Sequence, residues 1–592
     1  MKKILSKVLV VILFLSMIFT GCSSKDKNDT ADTNYSDKDS GSNTHVEEDG
    51  GESSYNYDEE TAASEAPDTS FSYNGVREVQ EEESQSELIE DSSTYRYDSK
   101  VTDDMNIGYD WEQPETPNTE EYTENPETGF KDAAERPLST FSIDVDTASY
   151  SNLRKNIDYG ILPDVDSVRI EEMLNYFTYD YEEPEDGKPF SINAEIGECP
   201  WNEDHYLLMV GLQGKSVDPE LLPKSNLVFL IDVSGSMDEP DKLPLLKNAF
   251  LQLVEELGED DRVSIVVYAG SSGVVLDSVP GNEQKLIRNA IESLTAGGST
   301  AGASGISLAY QLAEKNFREN GNNRVILATD GDFNVGASSM AELEDLIEEK
   351  KDSGIFLSVI GFGSGNLKDN KMELLADKGN GNYSYIDSPK EAKKVLVDEM
   401  SGTLLTIAKD VKIQLEFNPY SVESYRLIGY ENRALRNKDF TNDAVDAGEL
   451  GAGHSVTAIY EIVPGRANQP EHDNEGLKYQ SQGSGILDEF HDEITEIRLR
   501  YKEPDGEDSK EIKRVVSFLN TPVGGRLSDD FFFAAAVAEF GMILISSEYM
   551  GNSTIESVLG LAEKGLGDDE EEYRKDFMNL VEQYEEYFAY RW

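Results

Sequence analysis

Between residues 223 and 405 the chain repeats one pattern: an apolar run of strand length, then an amphipathic stretch of helix length. The runs are "NLVFLIDV", "RVSIVVYAG", "NRVILATD", "FLSVIGFG" and "NYSYID". Between and after them lie "KLPLLKNAFLQLVEEL", "EQKLIRNAIESL", "SGISLAYQLAEKNF", "MAELEDLIEEKKDSG", "NLKDNKMELLADKG" and "PKEAKKVLVDEMSGTLL". A strand that is apolar at every position is buried on both faces, so the pattern predicts an α/β fold: a doubly wound parallel sheet with helices on both sides. "GVVLDSV" predicts one further short strand. In such a fold the loops at the carboxyl ends of the strands gather on one edge, where ligands bind.

The flanks follow a different rule. Residues 189–222 hold strand patterns, "PFSINAEIGECP" and "YLLMVGLQG", and strand patterns resume over 406–520. Joined, they predict a β-sandwich into which the α/β domain of residues 223–405 is inserted. "GRANQPEHDNEGLKYQSQGSGILDEFHD" is a polar insertion between its later strands. Residues 521–592 form a helical C-terminal region. Its apolar stretch "SDDFFFAAAVAEFGMILISSEY" is too short to span a bilayer and predicts a buried core helix. Residues 138–188 form an N-terminal block with a short strand and two helical stretches.

The chain begins with basic Lys2, Lys3 and Lys7 and an apolar run Val8–Phe19, which predicts a signal peptide over residues 1–21. "FTGC" resembles a bacterial lipobox, with Phe19 where an aliphatic residue is usual, so Cys22 is expected to carry the lipid that anchors the protein to the cell membrane on its extracytoplasmic face. Cys199, the second of two cysteines, is then expected to be a lone buried thiol. Residues 22–137 are acidic and polar with hardly an aliphatic cluster, as in "VEEDGGESSYNYDEETAASEAPDTS". Such a segment cannot bury enough apolar surface to offset chain entropy and is expected to be a disordered tether. Its reach lies between roughly 60 Å as a coil and roughly 390 Å fully extended. The net charge of -65 excludes nucleic acid as a partner and opposes docking on anionic lipid.

Three signals fall at strand ends of the α/β region. They are Asp232-x-Ser234-x-Ser236, the loop "GGST" carrying Thr300, and "LATDGD" carrying Asp330. Together they offer three hydroxyls and two carboxylates. A hard-oxygen set of this kind suits Mg²⁺, with Mn²⁺ as a substitute. Each is weak alone, since Asp-Gly and serine-rich turns are common. All three in order on one edge are a specific signal.

The pattern resembles the metal-ion-dependent adhesion site of von Willebrand factor type A domains. That resemblance implies Ser234, Ser236 and Thr300 as direct ligands. It implies Asp232 and Asp330 as direct or water-mediated ligands, with one position open for an acidic group of a partner. "STFSIDVDTASYSNLRK", "VRIEEMLNYFTYDY" and "DDFFFAAAVAEFGMIL" resemble blocks of the YfbK-type bacterial lipoproteins, so the likeness runs from residue 138 to the end.

The expected function is therefore binding of a protein or cell-envelope ligand that bears an acidic residue. An envelope-complex scaffold using the metal site internally is the alternative. A metal-dependent hydrolase is disfavoured: none of His45, His205, His454, His472 and His491 falls inside the α/β region, and no catalytic triad or phosphate-loop pattern occurs. The Asp144-x-Asp146 pair after a short apolar run has the look of a phosphatase opening, but no later lysine or paired-acid motif follows it. Turn and helix-capping roles are expected for Asp144, Asp146, Thr147 and Ser149.

Overall fold

The computed structural model describes residues 119–588 except 186, 219–220, 300–301, 332–339, 400–401, 403–404, 466–476, 481–489, 491, 505 and 519–525. The signal peptide, Cys22 and the tether as far as residue 118 lie outside the described residues. Two short strands open the described chain, β1 (Lys131–Asp132) and β2 (Leu138–Ser142), and two helices complete the N-terminal block, α1 (Ala148–Asp158) and α2 (Ile170–Asn175). Strands β3 (Phe190–Glu198) and β4 (Tyr206–Gly214) then form an antiparallel pair.

The inserted domain follows. Its elements are β5 (Ser225–Asp232), α3 (Leu243–Glu256), β6 (Arg262–Tyr268), β7 (Ser272–Pro280), α4 (Gln284–Glu292), α5 (Gly302–Lys315), β8 (Asn322–Thr329), α6 (Met340–Asp352), β9 (Phe356–Phe362), α7 (Asp369–Lys378), β10 (Tyr383–Ile386) and α8 (Pro389–Lys393). The sheet order is β10-β9-β8-β5-β6-β7. Side chains of the central strand β5 alternate between two cores. Leu227, Phe229 and Ile231 pack with α3, α4 and α8, while Val228 and Leu230 pack with α5, α6 and α7. Phe229 stacks on Phe250 of α3 at 4.4 Å, with the rings parallel. The period of two along an all-apolar strand is what two-sided cover requires.

Two expectations need correction here. The sheet is not parallel throughout: β7 runs antiparallel to β6 along the edge. Only three residues, Ala269–Ser271, separate the two strands, and a connection that short cannot make a parallel crossover. The last helical stretch is not one regular α-helix. After α8 the chain takes a π-helical turn over Lys394–Asp398, with Glu399 N–H donating to the Lys394 carbonyl at 2.9 Å.

The chain then returns to strands: β11 (Thr406–Phe417), β12 (Val422–Ile428), β13 (Leu450–Gly451), β14 (Ser455–Pro464), β15 (Glu493–Lys502) and β16 (Ser509–Ser517). One sheet has the order β1-β12-β14-β4-β3 and the other β13-β11-β15-β16, with β2 also paired to β11. Strand β4, before the inserted domain, pairs with β14, after it, from Gln213↔Ser455 to Tyr206↔Ile462. Leu208, Val210 and Leu212 of β4 meet Ile413, Leu415 and Phe417 of β11 in the sandwich core. Leu207 and Met209 point the other way, into a helical layer formed by α9 (Asp529–Leu544), α10 (Ile555–Lys564) and α11 (Tyr573–Phe588) with the N-terminal helices. Burial on both faces explains why "YLLMVGLQG" carries hardly a polar residue. Helix α9 is buried nearly all round and is capped by Ser528, whose hydroxyl accepts from Phe531 N–H at 3.0 Å. No described helix is long and apolar enough to cross a membrane.

Residues 119–137, expected to belong to the disordered tether, form a strap across the folded body. Thr119 N–H and Glu121 N–H donate to the Gly365 and Leu367 carbonyls at 2.9 and 3.0 Å. Glu127 pairs with Arg426 at 3.3 Å and accepts from Ser547 at 2.6 Å. Strand β1 pairs with β12, and Ala133 and Ala134 are buried. The strap binds through backbone groups and carboxylates, which an apolar pattern does not register.

In the N-terminal block, Asp144 makes the expected turn, accepting from Asp146 N–H at 2.9 Å. Thr147 occupies the N-cap position of α1 but makes no side-chain cap bond. Tertiary partners take over instead. Asp146 accepts from Tyr383 N–H on the edge strand β10 at 2.8 Å, and Glu172 accepts from Ser149 N–H at 2.8 Å.

Candidate metal centre

Asp232 ends β5, and Asp330 directly follows its neighbour β8. From β5 the chain goes through α3 to β6 on one side. From β8 it goes through α6 to β9 on the other side, and the two helices cover opposite faces. The crevice at the carboxyl ends of β5 and β8 is therefore the switch point of the sheet, the place where a doubly wound fold binds ligands.

The turn after β5 is built by its own acid. Asp232 Oδ1 accepts from Ser234 N–H at 2.8 Å, which folds the chain back and brings the Ser234 and Ser236 hydroxyls to 3.0 Å from each other. Ser234 is buried and Ser236 is exposed. The loop before α5 lies against this turn: Gly297 N–H donates to the Val233 carbonyl at 2.8 Å, and Gly235 N–H to the Gly298 carbonyl at 3.1 Å. Gly298 has φ +92, a conformation that favours glycine. Helix α5 sits close on the sheet at Gly305, where a Cβ would come within 2.8 Å of Tyr268. Thr300, the third expected hydroxyl, lies outside the described residues.

Asp232 and Asp330 are both fully buried. Burial pushes the Asp232 carboxyl up to about 6, and the like charge of Asp330 adds to the rise. The N–H and hydroxyl of Ser234 and the hydroxyl of Tyr268 oppose it. Thr329 links the two strand ends: its hydroxyl donates to Asp232 Oδ2 at 3.3 Å and accepts from Gly331 N–H at 3.2 Å. Lys242, just before α3, places its buried ammonium 3.0 Å from Asp330 Oδ2 and 3.3 Å from Asn366 Oδ1. Of the five expected site residues, the structure brings Asp232, Ser234, Ser236 and Asp330 to one edge. Sequence reasoning missed Thr329, Tyr268, Lys242 and Asn366. For Thr329 the strand-end position was a usable signal. For Lys242 and Asn366 there was none, because they reach the site through tertiary packing.

The donor set fits a hard divalent ion. It is all oxygen, partly preorganised, and carries two buried carboxylates against one ammonium. Among the described residues no three His, Cys, Asp or Glu side chains group as ligands, and a site of two acids plus hydroxyls does not require such a group. Ser234, Ser236, Asp232 and Asp330 are the described residues that would hold the ion.

The fold and this strand-end pattern define the von Willebrand factor type A domain, a class associated with protein interaction and adhesion. Family models agree: one described as von Willebrand factor type A domain matches residues 226–398, and one described as von Willebrand factor matches residues 116–209. A third, described as "Uncharacterized protein YfbK, C-terminal", matches residues 402–587. The YfbK protein of Escherichia coli (strain K12) is 42% identical over 473 residues, 79% of this chain and 81% of that one. The protein sll0103 of Synechocystis sp. is 31% identical over 205 residues, 34% of this chain and 47% of that one. Among solved structures, a von Willebrand factor type A protein from Catenulispora acidiphila is 15% identical, with 68% of this chain and 91% of that one covered at a TM-score of 0.38. The chain belongs to the YfbK family, with a von Willebrand factor type A domain inserted in its β-sandwich.

Proposed function

We propose that the protein is a cell-surface lipoprotein, anchored through Cys22, that binds a protein or envelope ligand through a Mg²⁺-dependent adhesion site. The observation that carries this reading is the Asp232–Ser234–Ser236 turn beside Asp330 at the switch point of the sheet. Hydroxyls as direct ligands leave most of the ion's charge uncompensated, so a carboxylate from the partner completes the coordination. Thr300 supplies the third hydroxyl, and Asp232 and Asp330 orient the hydroxyls and bound waters. Mn²⁺ substitutes for Mg²⁺. The tether sets the distance of the binding edge from the membrane. Binding rather than turnover is the role, because among the described residues the site contributes no histidine and no carboxylate beyond its own two acids.

Pull-down from envelope extract with Mg²⁺, with chelator, and with Asp232→Ala or Thr300→Ala tests this, followed by titration calorimetry on the captured partner. Affinity should fall at least a hundredfold in chelator and in both variants. Asp232→Ala also removes the buried acceptor that builds the turn and should lower the melting temperature, so Asp232→Asn, which keeps an acceptor there, is measured beside it. Affinity unchanged in chelator would place the binding surface elsewhere. For the anchor, Cys22→Ser should release the protein or leave an unprocessed precursor; normal membrane retention at mature size would remove that part of the reading.

A further inference from the structure

Lys242 is held in a slot shaped for it. Its stem lies along Gly363, where a Cβ would come within 2.3 Å of Lys242 Cε and 2.4 Å of Cγ. Gly363 has φ +74. A second left-handed glycine, Gly331 at φ +99, lets the Asp330 turn press on the backbone of Leu367 and Lys368, each 2.7 Å from where its Cβ would be. The slot ends at Asp330 Oδ2 and Asn366 Oδ1. A lysine buried to this degree is costly unless its charge is matched, and here it is matched by an acid of the candidate metal centre.

We propose that Lys242 is a resident counter-cation of the metal centre. It neutralises Asp330 when no divalent ion is bound, and opposes the ion's charge when one is. Lys242 thereby keeps the edge assembled without metal, at the expense of divalent affinity. It acts through Asp330 and is a positioning residue, not a ligand. The inference rests on the metal-binding reading above. Its physical basis is Coulombic: a buried carboxylate already paired with an ammonium 3.0 Å away would attract a second cation less strongly than an unpaired one.

Mn²⁺ binding to the mature chain, followed by calorimetry and by the electron paramagnetic resonance signal of the free ion, tests it. Lys242→Met should bind Mn²⁺ at least tenfold more tightly than wild type. Without metal it should melt at a lower temperature, and Mg²⁺ should restore more of that loss than it adds to wild type. Lys242→Gln, which keeps a hydrogen-bond donor in the slot, should show the same gain in affinity if the methionine variant fails to fold. Adding Asp330→Asn should abolish the gain, because the coupling passes through that carboxylate. Wild type that binds Mn²⁺ beside variants that bind equally or more weakly would overturn the inference while leaving the metal centre standing. No Mn²⁺ binding by any of them would overturn the metal reading and the inference together.

Discussion

Glu171, in α2, is a buried carboxyl outside the candidate site whose surroundings disfavour its charge. Burial pushes it up to about 7, and Asp144 and Glu431 act in the same sense. The N–H groups of Tyr430 and Glu171 itself offset part of the rise. A carboxyl whose folded value lies above its unfolded one binds its proton more tightly in the folded state. Stability is therefore lost as pH rises from about 4.5 to about 7 and stays lost above that window. Glu171→Gln should remove the loss, making the variant more stable than wild type at pH 8 by up to about 3 kcal/mol and nearly equal at pH 4.5. Urea unfolding at the two pH values measures this; a difference independent of pH would mean that the carboxyl titrates alike in the folded and unfolded states. Cys199 is buried in the same helical core, and its thiol is pushed up to about 12, chiefly by burial, with Glu461 adding to the rise. It is buried, as the sequence predicted, and a thiol held protonated in this way is a poor nucleophile.

Among the elements, the strap is the one whose worth is least evident from composition. It places acidic residues against two cations, one of them buried. Glu127 faces Arg426, which also pairs with Glu461 at 2.7 Å, and Glu121 faces Lys368 at 2.8 Å. Arg426 is almost fully buried, so the pairing matters more there than at exposed Lys–Glu contacts. A fragment beginning at residue 138 should be less stable than one beginning at residue 119 by roughly 2–4 kcal/mol, from lost hydrogen bonds and a buried guanidinium deprived of one acid. Guanidinium chloride unfolding of the two fragments compares them directly. Equal midpoints and slopes would mean that the strap lies passively on the surface.

For the whole molecule, one residue ties three regions together. Arg433 leaves the sandwich after β12 and reaches Asp144 at 3.1 Å and Asp146 at 3.0 Å in the N-terminal block. It also reaches Glu373 at 3.1 Å and Asp377 at 2.7 Å on α7 of the inserted domain. Burial raises Asp146, Glu373 and Asp377 above their ordinary values, and Arg433 draws them back down. Arg433→Met would leave four carboxylates without their shared cation. A loss of about 3–5 kcal/mol is expected at pH 8. It should shrink toward pH 5 as the raised carboxyls take up protons. Calorimetric melting at both pH values would show it, and protease sensitivity at the connections near residues 214–225 and 398–406 should rise in parallel. An unchanged melting profile would mean that the inserted domain is held by its apolar and backbone contacts alone.

Much of this was legible in the chain because it rests on local period. The all-apolar run of β5, the amphipathic helices and the strand-end positions of Asp232 and Asp330 follow from burial on two faces and from where loops must gather. The insertion was legible too, since sheet patterns interrupted by an α/β pattern can hardly close otherwise. The antiparallel β7 could have been read from its three-residue connection. What the chain did not display depends on contacts between distant segments. The strap uses backbone and carboxylate partners more than 200 residues away, such as Gly365 and Arg426. Thr147 gives up its cap role because β10 offers Asp146 and Thr147 an edge to pair with. Lys242, one basic residue in the acidic stretch "MDEPDK", became part of the candidate site only when Gly363 and Asn366 closed a slot around it. Periodicity records which face of an element is buried. It carries no record of which charges a fold brings together once the faces have packed, and in a chain of net charge -65 that pairing is what tertiary structure alone decides.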